Sequence, residues 1–256
     1  MQKKILVGAI GSLAIFGAIA FFAMKTPFPA KAPGTPGPAL SGSDYVEHAP
    51  YYDITANYAS STPLLASAGA AADTAAVALM RKFVSDTISQ FKTDGNFVNL
   101  TPSDVQMRGL TGGRKEKLEI VYLIGSSSHT ISYIFTIYED TLGAHGNTFF
   151  KTFTFDTTTG APLALEDVFT PGAPYLSTLS QVSRAKLPGV IGQYADIHFI
   201  QNGTGPEDNN FENFFFDNRD FVILFAPYAV APYAAGPQTL RIPVSELVSI
   251  LKPEYQ

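Results

Sequence analysis

The sequence predicts an α+β fold in which helices pack on a mostly antiparallel sheet. Two observations lead to this class. Apolar residues alternate in pairs of strand-like segments joined by short turns, and apolar residues recur at helical spacing in separate stretches. A third observation concerns the N-terminus, where residues 5–24 form an apolar run long enough for a transmembrane helix ahead of the folded body.

The first 50 residues predict an exported chain. Residues 5–24 contain no charged side chain and follow Lys3 and Lys4, so the positive-inside rule places the body outside the cytoplasm. We expect residues 1–25 to be a membrane anchor, or alternatively a signal peptide that is cleaved. Residues 26–50 are rich in Pro, Gly, Ala and Ser, which predicts an extended linker. The chain is thus expected to cross the cell membrane once, or to be secreted if the segment is removed.

Composition excludes several classes of function. The net charge is −5 and no cluster of Lys and Arg occurs, so a nucleic-acid partner is not expected. Cysteine is absent, which removes thiol nucleophiles, disulfides and thiolate metal sites. The roughly 200 residues after the linker are enough for a substantial core. Charged residues make up only 15%, while there are 20 Phe and 12 Tyr, a composition that favours a β-rich body.

The body is expected to open with a strand near residues 51–58, followed by a long helix that Asp73 caps and that ends near Lys92. Apolar residues at helical spacing predict that one face of this helix packs across a sheet. They are Val77, Met80, Val84, Ile88 and Phe91. Alternating apolar residues in 117–124 and 130–139 predict a hairpin.

Residues 132–169 are expected to form the centre of the fold. Aromatic residues at alternate positions predict a strand that follows the loop 142–148. In that loop Gly143 and Gly146 flank His145, and we expect positive φ on both sides of the histidine.

The remaining elements are read from turn and helix signals. Gly160 is expected to close a hairpin turn in the left-handed conformation. Pro174 predicts the start of a helix through Leu187, which Pro188 should stop. Residues 214–225 predict a second hairpin whose last strand is buried on both faces.

Three motifs occur in order along the second half of the chain. They are GAHGN at 143–147, the segment from FD at 155 through Gly160 to LEDVF ending at 169, and PYAVAPYAAGP at 227–237. Together they resemble the extracytoplasmic C-terminal domain of the RsiV type of anti-sigma factor, a domain that also accompanies the deacetylase domain of PdaC. On this resemblance, residues 51–140 are expected to be the N-terminal part of the extracellular module and residues 141–256 the C-terminal domain.

The resemblance implies a secreted or tethered binding module. In RsiV the corresponding region binds lysozyme, so lysozyme or peptidoglycan is the expected partner. Only four residues precede the apolar segment, so no cytoplasmic sigma-factor-binding segment is expected. The metal-binding motifs of the deacetylase domain do not occur, and the module is expected to have no catalytic residue, metal or cofactor.

Candidate binding residues lie in two irregular loops. They are His145 and Asn147 in the first loop, and Tyr228 and Tyr233 in the Pro-Tyr loop 226–236. Irregular loops on a rigid scaffold commonly carry recognition, and tyrosine offers both a stacking face and a hydroxyl. The structural alternative is that His145 bonds its own loop backbone and that the tyrosines fill the core.

The alternative function is an enzyme that acts on cell-wall polysaccharide. It would use His145 with Glu139, Asp140 or Asp156, the carboxylates nearest in sequence. The acidic pair 166–167 is expected instead to favour the first turn of a short helix, because adjacent residues in an extended segment point apart. A cleft in which His145 meets carboxylates would favour the enzyme, and a filled interior would favour the binder.

Overall fold

The computed structural model describes residue 40, residues 42–62 and residues 68–256. It confirms the α+β class, with one six-stranded sheet, one three-stranded sheet and four α-helices in this part of the chain. The expected membrane segment at residues 5–24 lies outside the described residues. Within them, no helix combines the length and the apolar character that a membrane span needs.

The six-stranded sheet follows the order of the chain. Its strands are β1 (Asp44–His48), β2 (Tyr52–Asn57), β3 (Glu116–Ser126), β4 (Thr130–Asp140), β5 (Asn147–Asp156) and β6 (Pro162–Leu163). All neighbours are antiparallel except β2 and β3, which are parallel, so the sheet is mixed. The parallel pair requires a crossover, and the helix after β2 supplies it.

Strand β1 corrects the expected start of the folded body, because it lies within the segment 26–50 that was expected to be a linker. The strand is held by side chains that the composition of the segment did not reveal. Glu47 accepts a hydrogen bond from the Tyr52 hydroxyl at 2.6 Å and forms an ion pair with Lys92 of the long helix. These contacts attach β1 to the sheet and to the helix above it.

Helix α1 (Ala70–Gly95) covers one face of this sheet. The predicted apolar stripe is confirmed, since its five members are buried: Val77, Met80, Val84, Ile88 and Phe91. The predicted cap is wrong, because the helix begins earlier, after Gly69. Asp73 lies in the first turn, where its carboxylate accepts hydrogen bonds from the backbone N–H and the hydroxyl of Thr62.

The second half of the chain supplies the three-stranded sheet and two more helices. After the short helix α2 (Pro102–Met107), the later elements are α3 (Tyr175–Ile191), α4 (Ile197–Gly203), β7 (Phe214–Asp217), β8 (Asp220–Phe225) and β9 (Gln238–Pro243). Strand β8 is central, and most of its residues are buried, as predicted. Helix α3 does not stop at Pro188 but continues to Ile191, whose burial in the core holds the last turn.

The two sheets pack against each other through β7. Strand β7 lies on the face of β3, β4 and β5 that α1 does not cover, where Phe215 packs against Ile134 and Val222. The Thr154 hydroxyl donates to the Phe214 carbonyl oxygen across this contact at 3.2 Å. The expected boundary at residues 140/141 is therefore misplaced, because it separates β4 from β5, which are paired over ten residue pairs in one sheet.

Candidate functional site

The fold brings the two candidate loops together. The loop between β4 and β5 carries His145, and the loop between β8 and β9 carries Tyr228 and Tyr233. The His145 ring stacks on the Tyr233 ring, with centroids 3.7 Å apart and an interplanar angle of 19°. The Tyr228 ring lies 6.0 Å from His145 and 5.5 Å from Tyr233. We call these three residues the aromatic cluster.

Hydrogen bonds fix the geometry of the aromatic cluster. Nδ1 of His145 lies 3.0 Å from the Gly146 carbonyl oxygen, and Nε2 lies 3.2 Å from the Tyr228 hydroxyl. Because a carbonyl oxygen can only accept, Nδ1 donates to it, and when the ring is neutral Nε2 therefore accepts from Tyr228. The Tyr233 hydroxyl donates to the same Gly146 oxygen at 2.8 Å. One backbone carbonyl thus orients both stacked rings.

Packing, and not its φ angle, distinguishes Gly146 from Gly143. Neither Gly143 nor Gly146 has positive φ, so the conformation expected for both is wrong. A Cβ atom at Gly146 would lie 2.3 Å from the hydroxyl oxygen of Tyr138, whereas a Cβ at Gly143 would have no atom within 4 Å. The turn is instead made by Leu142, at φ 61°, whose N–H donates to Asp140 at 2.8 Å.

Backbone strain is concentrated in the same two loops. Among the described residues, four non-glycine residues have positive φ: Asn96, Leu142, Asn218 and Tyr228. Asparagine adopts this region readily, but Leu and Tyr do so at a cost of about 1–2 kcal/mol. Leu142 lies three residues before His145, and Tyr228 is itself a member of the aromatic cluster. Strain that the surrounding structure maintains is a known feature of functional sites.

Helix α4 packs directly against the backbone of the Pro-Tyr loop. A Cβ atom at Gly203 would lie 1.8 Å from the carbonyl oxygen of Ala229, the residue after Tyr228. Only glycine permits this approach between the helix and the loop. Tyr138 and Gly203 were not among the predicted site residues. The sequence offered one signal for Tyr138: it is an aromatic residue just before the loop, on the face of β4 that α1 does not cover.

The predicted site residues differ in exposure. His145 and Asn147 are exposed, Tyr233 is half-buried and Tyr228 is 39% exposed. Asn147 begins β5 opposite Glu139. The aromatic cluster therefore presents rings and hydroxyls at the surface. Gly160, the third predicted turn glycine, has φ 71° and closes the turn after β5 as expected.

The carboxylates expected to assist His145 are not assembled around it. Asp156 ends β5, about 30 Å along the strand from Asn147 at the usual rise per residue. Its Oδ1 accepts from the backbone N–H groups of Thr158 at 2.9 Å and Thr159 at 2.7 Å. In the described part of the chain no hydrogen bond joins His145 to a carboxylate, and no group of three or more His, Cys, Asp or Glu side chains is arranged to hold a metal ion.

The acidic pair 166–167 lies in a 3₁₀ turn, Leu165–Val168, as expected. Asp167 Oδ2 accepts from the Ala164 N–H at 2.8 Å and so caps that turn. A groove of about 290 Å³ lies beside it, lined by residues that include Glu166, Phe169, Tyr175 and Lys252. This groove does not include the aromatic cluster.

Comparison with known proteins shows which families and proteins this chain resembles. Residues 166–245 match the family described as "Protein of unknown function (DUF3298)". The chain is 29% identical over 177 residues to the peptidoglycan-N-acetylmuramic acid deacetylase PdaC of Bacillus subtilis, a match that covers 69% of this chain and 36% of PdaC. It is 25% identical over 118 residues to the esterase Rv3036c of Mycobacterium tuberculosis, covering 46% of this chain and 51% of that protein.

A solved structure shows the same fold. The crystal structure of a DUF3298 family member from Bacteroides fragilis, BF2082, matches 86% of this chain and 96% of its own with a TM-score of 0.55 and 19% identity. The chain spans only about a third of PdaC and half of the esterase. The resemblance to PdaC read from the motifs is confirmed: residues 166–245 match the DUF3298 family, and the chain is similar to the corresponding part of PdaC.

Proposed function

We propose that this protein is a non-catalytic binding module of the cell envelope and that the aromatic cluster is its binding surface. One observation carries the proposal. Two irregular loops, 83 residues apart at His145 and Tyr228, meet in an exposed group of rings, and each loop holds a non-glycine residue at positive φ. A surface that serves only to cover the core does not need such strain.

The favoured ligand is a wall glycan. The tyrosine rings provide apolar faces, and their hydroxyl oxygens, which donate within the cluster, provide hydrogen-bond acceptors, a combination that suits amphipathic ligands such as sugars. The similarity to a protein named as a peptidoglycan deacetylase supports a wall polymer as the ligand. In this proposal the body lies outside the cytoplasm, held by the apolar segment 5–24.

A basic protein such as lysozyme is the second candidate ligand. The net charge of −5 favours encounter with a cationic partner. Burial raises the pKa of Tyr138, which lies against Gly146, and the charges of Asp140 and Glu119 raise it further. Binding that depends on the net negative charge of the chain should weaken as salt concentration rises.

Isothermal titration calorimetry of the full chain with soluble peptidoglycan fragments, and separately with lysozyme, tests the proposal. We expect Tyr228→Ala to weaken binding about ten-fold or more, as for a central tyrosine of an interface. Tyr194→Ala is the control, because Tyr194 is similarly exposed, at 42%, but lies in the turn after α3. Binding of neither ligand by the folded chain, or equal effects of the two substitutions, would refute the proposal.

The enzymatic alternative is tested on the same samples. His145 accepts a hydrogen bond from Tyr228, so a general-base role would proceed through this pair. Release of acetate from peptidoglycan fragments, lost in His145→Ala and retained in Tyr194→Ala, would replace the binding proposal with a catalytic one. We expect no release of acetate.

A further inference from the structure

Three carboxyl groups and one arginine lie near the end of α1, over the six-stranded sheet. Glu116 begins β3, and Glu139 lies opposite Leu118 near the end of β4. Glu116 and Glu139 are therefore diagonal neighbours on the sheet face that α1 covers. Asp94 belongs to the last turn of α1, where the helix dipole is also negative. We call Asp94, Glu116 and Glu139 the acidic cluster.

The arginine of this region is already occupied. Nε and Nη2 of Arg108 both donate to Oε1 of Glu116, at 3.0 and 2.5 Å, and Nη1 donates to the Gly95 carbonyl at the end of α1. The guanidinium also lies 5.3 Å from the centre of the Phe97 ring. Glu116 is almost fully buried. Arg108 is thus bonded to Glu116 and to the helix end, and Glu139 has no hydrogen bond to Arg108 in the described residues.

The other neighbours of Glu139 do not supply a positive charge. Strand β5 places Asn147 opposite it, which is uncharged. On its own strand, Asp140 accepts from the N–H of Leu142. Lys117 of β3 lies opposite Asp140, the residue after Glu139. Because side chains alternate along a strand, Lys117 and Glu139 are on opposite faces of the sheet. Asp94 from α1 and Glu116 from β3 are the charges that act on Glu139, and both are negative.

The charge state of Glu139 therefore affects the stability of the fold. Burial raises the pKa of Glu139, and the charges of Asp94 and Glu116 raise it further. Burial also raises the pKa of Glu116, in spite of Arg108. A carboxyl group with a raised pKa in the folded state binds its proton more tightly there than in the unfolded chain. Its contribution to stability is complete below the unfolded value, 4.5, and is lost as pH rises through the folded pKa.

We propose that the acidic cluster is a pH-sensitive element that loosens this end of the sheet as pH rises from mildly acidic to neutral. The loop with His145 begins two residues after Glu139. The neighbour of Glu139, Asp140, accepts a hydrogen bond from the Leu142 N–H in this loop. Loosening of the end of β4 is thus transmitted to the loop 141–146. The inference concerns the stability of the fold and does not depend on which ligand, if any, the aromatic cluster binds.

Thermal unfolding of the full chain between pH 4 and pH 8 tests this inference. Glu139→Gln mimics the protonated carboxyl, so it is expected to raise Tm by about 2–4 °C at pH 7.5 and to match the wild type at pH 4. Glu119→Gln is the control, because Glu119 is exposed on the opposite face of β3, and its Tm should follow the wild type at every pH. Equal curves for wild type and Glu139→Gln would overturn the inference.

Two further measurements separate a local effect from a general one. Amide hydrogen exchange at pH 7.5 is expected to slow at residues 139–147 in Glu139→Gln and to remain unchanged there in Glu119→Gln. If Glu139→Gln does not fold, Asp94→Asn removes a second charge of the acidic cluster and should shift Tm in the same direction by a smaller amount. A Tm gain that is the same at pH 4 and pH 7.5 would show a packing effect and would refute a titration.

Discussion

At the scale of single residues, the aromatic cluster depends on one backbone oxygen and one missing side chain. The Gly146 carbonyl accepts from both His145 and Tyr233, and the absent Cβ of Gly146 leaves space for the Tyr138 ring. The sequence indicated that the two glycines beside His145 matter. It did not distinguish Gly146 from Gly143, because the difference lies in what each faces in space.

These two glycines provide a matched pair of substitutions. Gly146→Ala should lower the free energy of unfolding by about 1–3 kcal/mol, because the new methyl group displaces the Tyr138 ring. Gly143→Ala should change it by less than about 0.5 kcal/mol, since a Cβ there meets nothing and φ is not positive. Urea denaturation measures both values. Equal losses would show that the loop, and not the Tyr138 contact, requires glycine.

At the scale of elements, local patterns predicted most helices and strands, and tertiary contacts moved their ends. Helix α1 carries its apolar stripe where the spacing indicated, yet it begins before Asp73. Helix α3 passes through Pro188 because Ile191, beyond the expected stop, is buried in the core. Strand β1 was missed because its attachment depends on Lys92, which is 45 residues away from Glu47.

Helix α4 offers a second matched pair. Gly203→Ala should destabilise the protein by about 1–3 kcal/mol, because its Cβ would overlap the Ala229 carbonyl and push the Pro-Tyr loop outward. Gly189→Ala lies in α3, where a Cβ meets nothing, and should stabilise by about 0.5–1 kcal/mol through helix propensity. Circular dichroism melting curves show whether each substitution lowers or raises stability. A stable Gly203→Ala variant with unchanged ligand binding would show that α4 does not position the loop.

At the scale of the whole molecule, the two sheets share one packed interface. The buried Thr154 hydroxyl contacts both Ser132 in its own sheet, at 2.9 Å, and the Phe214 carbonyl in the other, at 3.2 Å. The Phe215 ring fills the space above Gly125, where a Cβ would lie 2.7 Å from a ring carbon. We expect such contacts to couple the unfolding of one sheet to that of the other.

Phe215→Ala should therefore destabilise both sheets together, by about 3–5 kcal/mol, because it leaves a cavity between them. Leu123→Ala is the control, because Leu123 pairs with Ile134 of the same contact but is 72% exposed, and it should cost less than about 0.5 kcal/mol. Differential scanning calorimetry should show one transition for each variant. Two separate transitions in Phe215→Ala would mean that the sheets are independent domains.

The sequence by itself determined the α+β class, the apolar face of α1, the hairpins, the turn at Gly160 and the two loops that carry His145 and the tyrosines. These features are readable because periods of 2 and 3.6 residues and turn glycines are local properties of the chain. Only the tertiary structure decided that the strands divide into two sheets, that Asp156 lies far from His145, and that His145 meets Tyr228 across 83 residues. Such contacts depend on how side chains of distant elements fit together, and no local spacing encodes that fit.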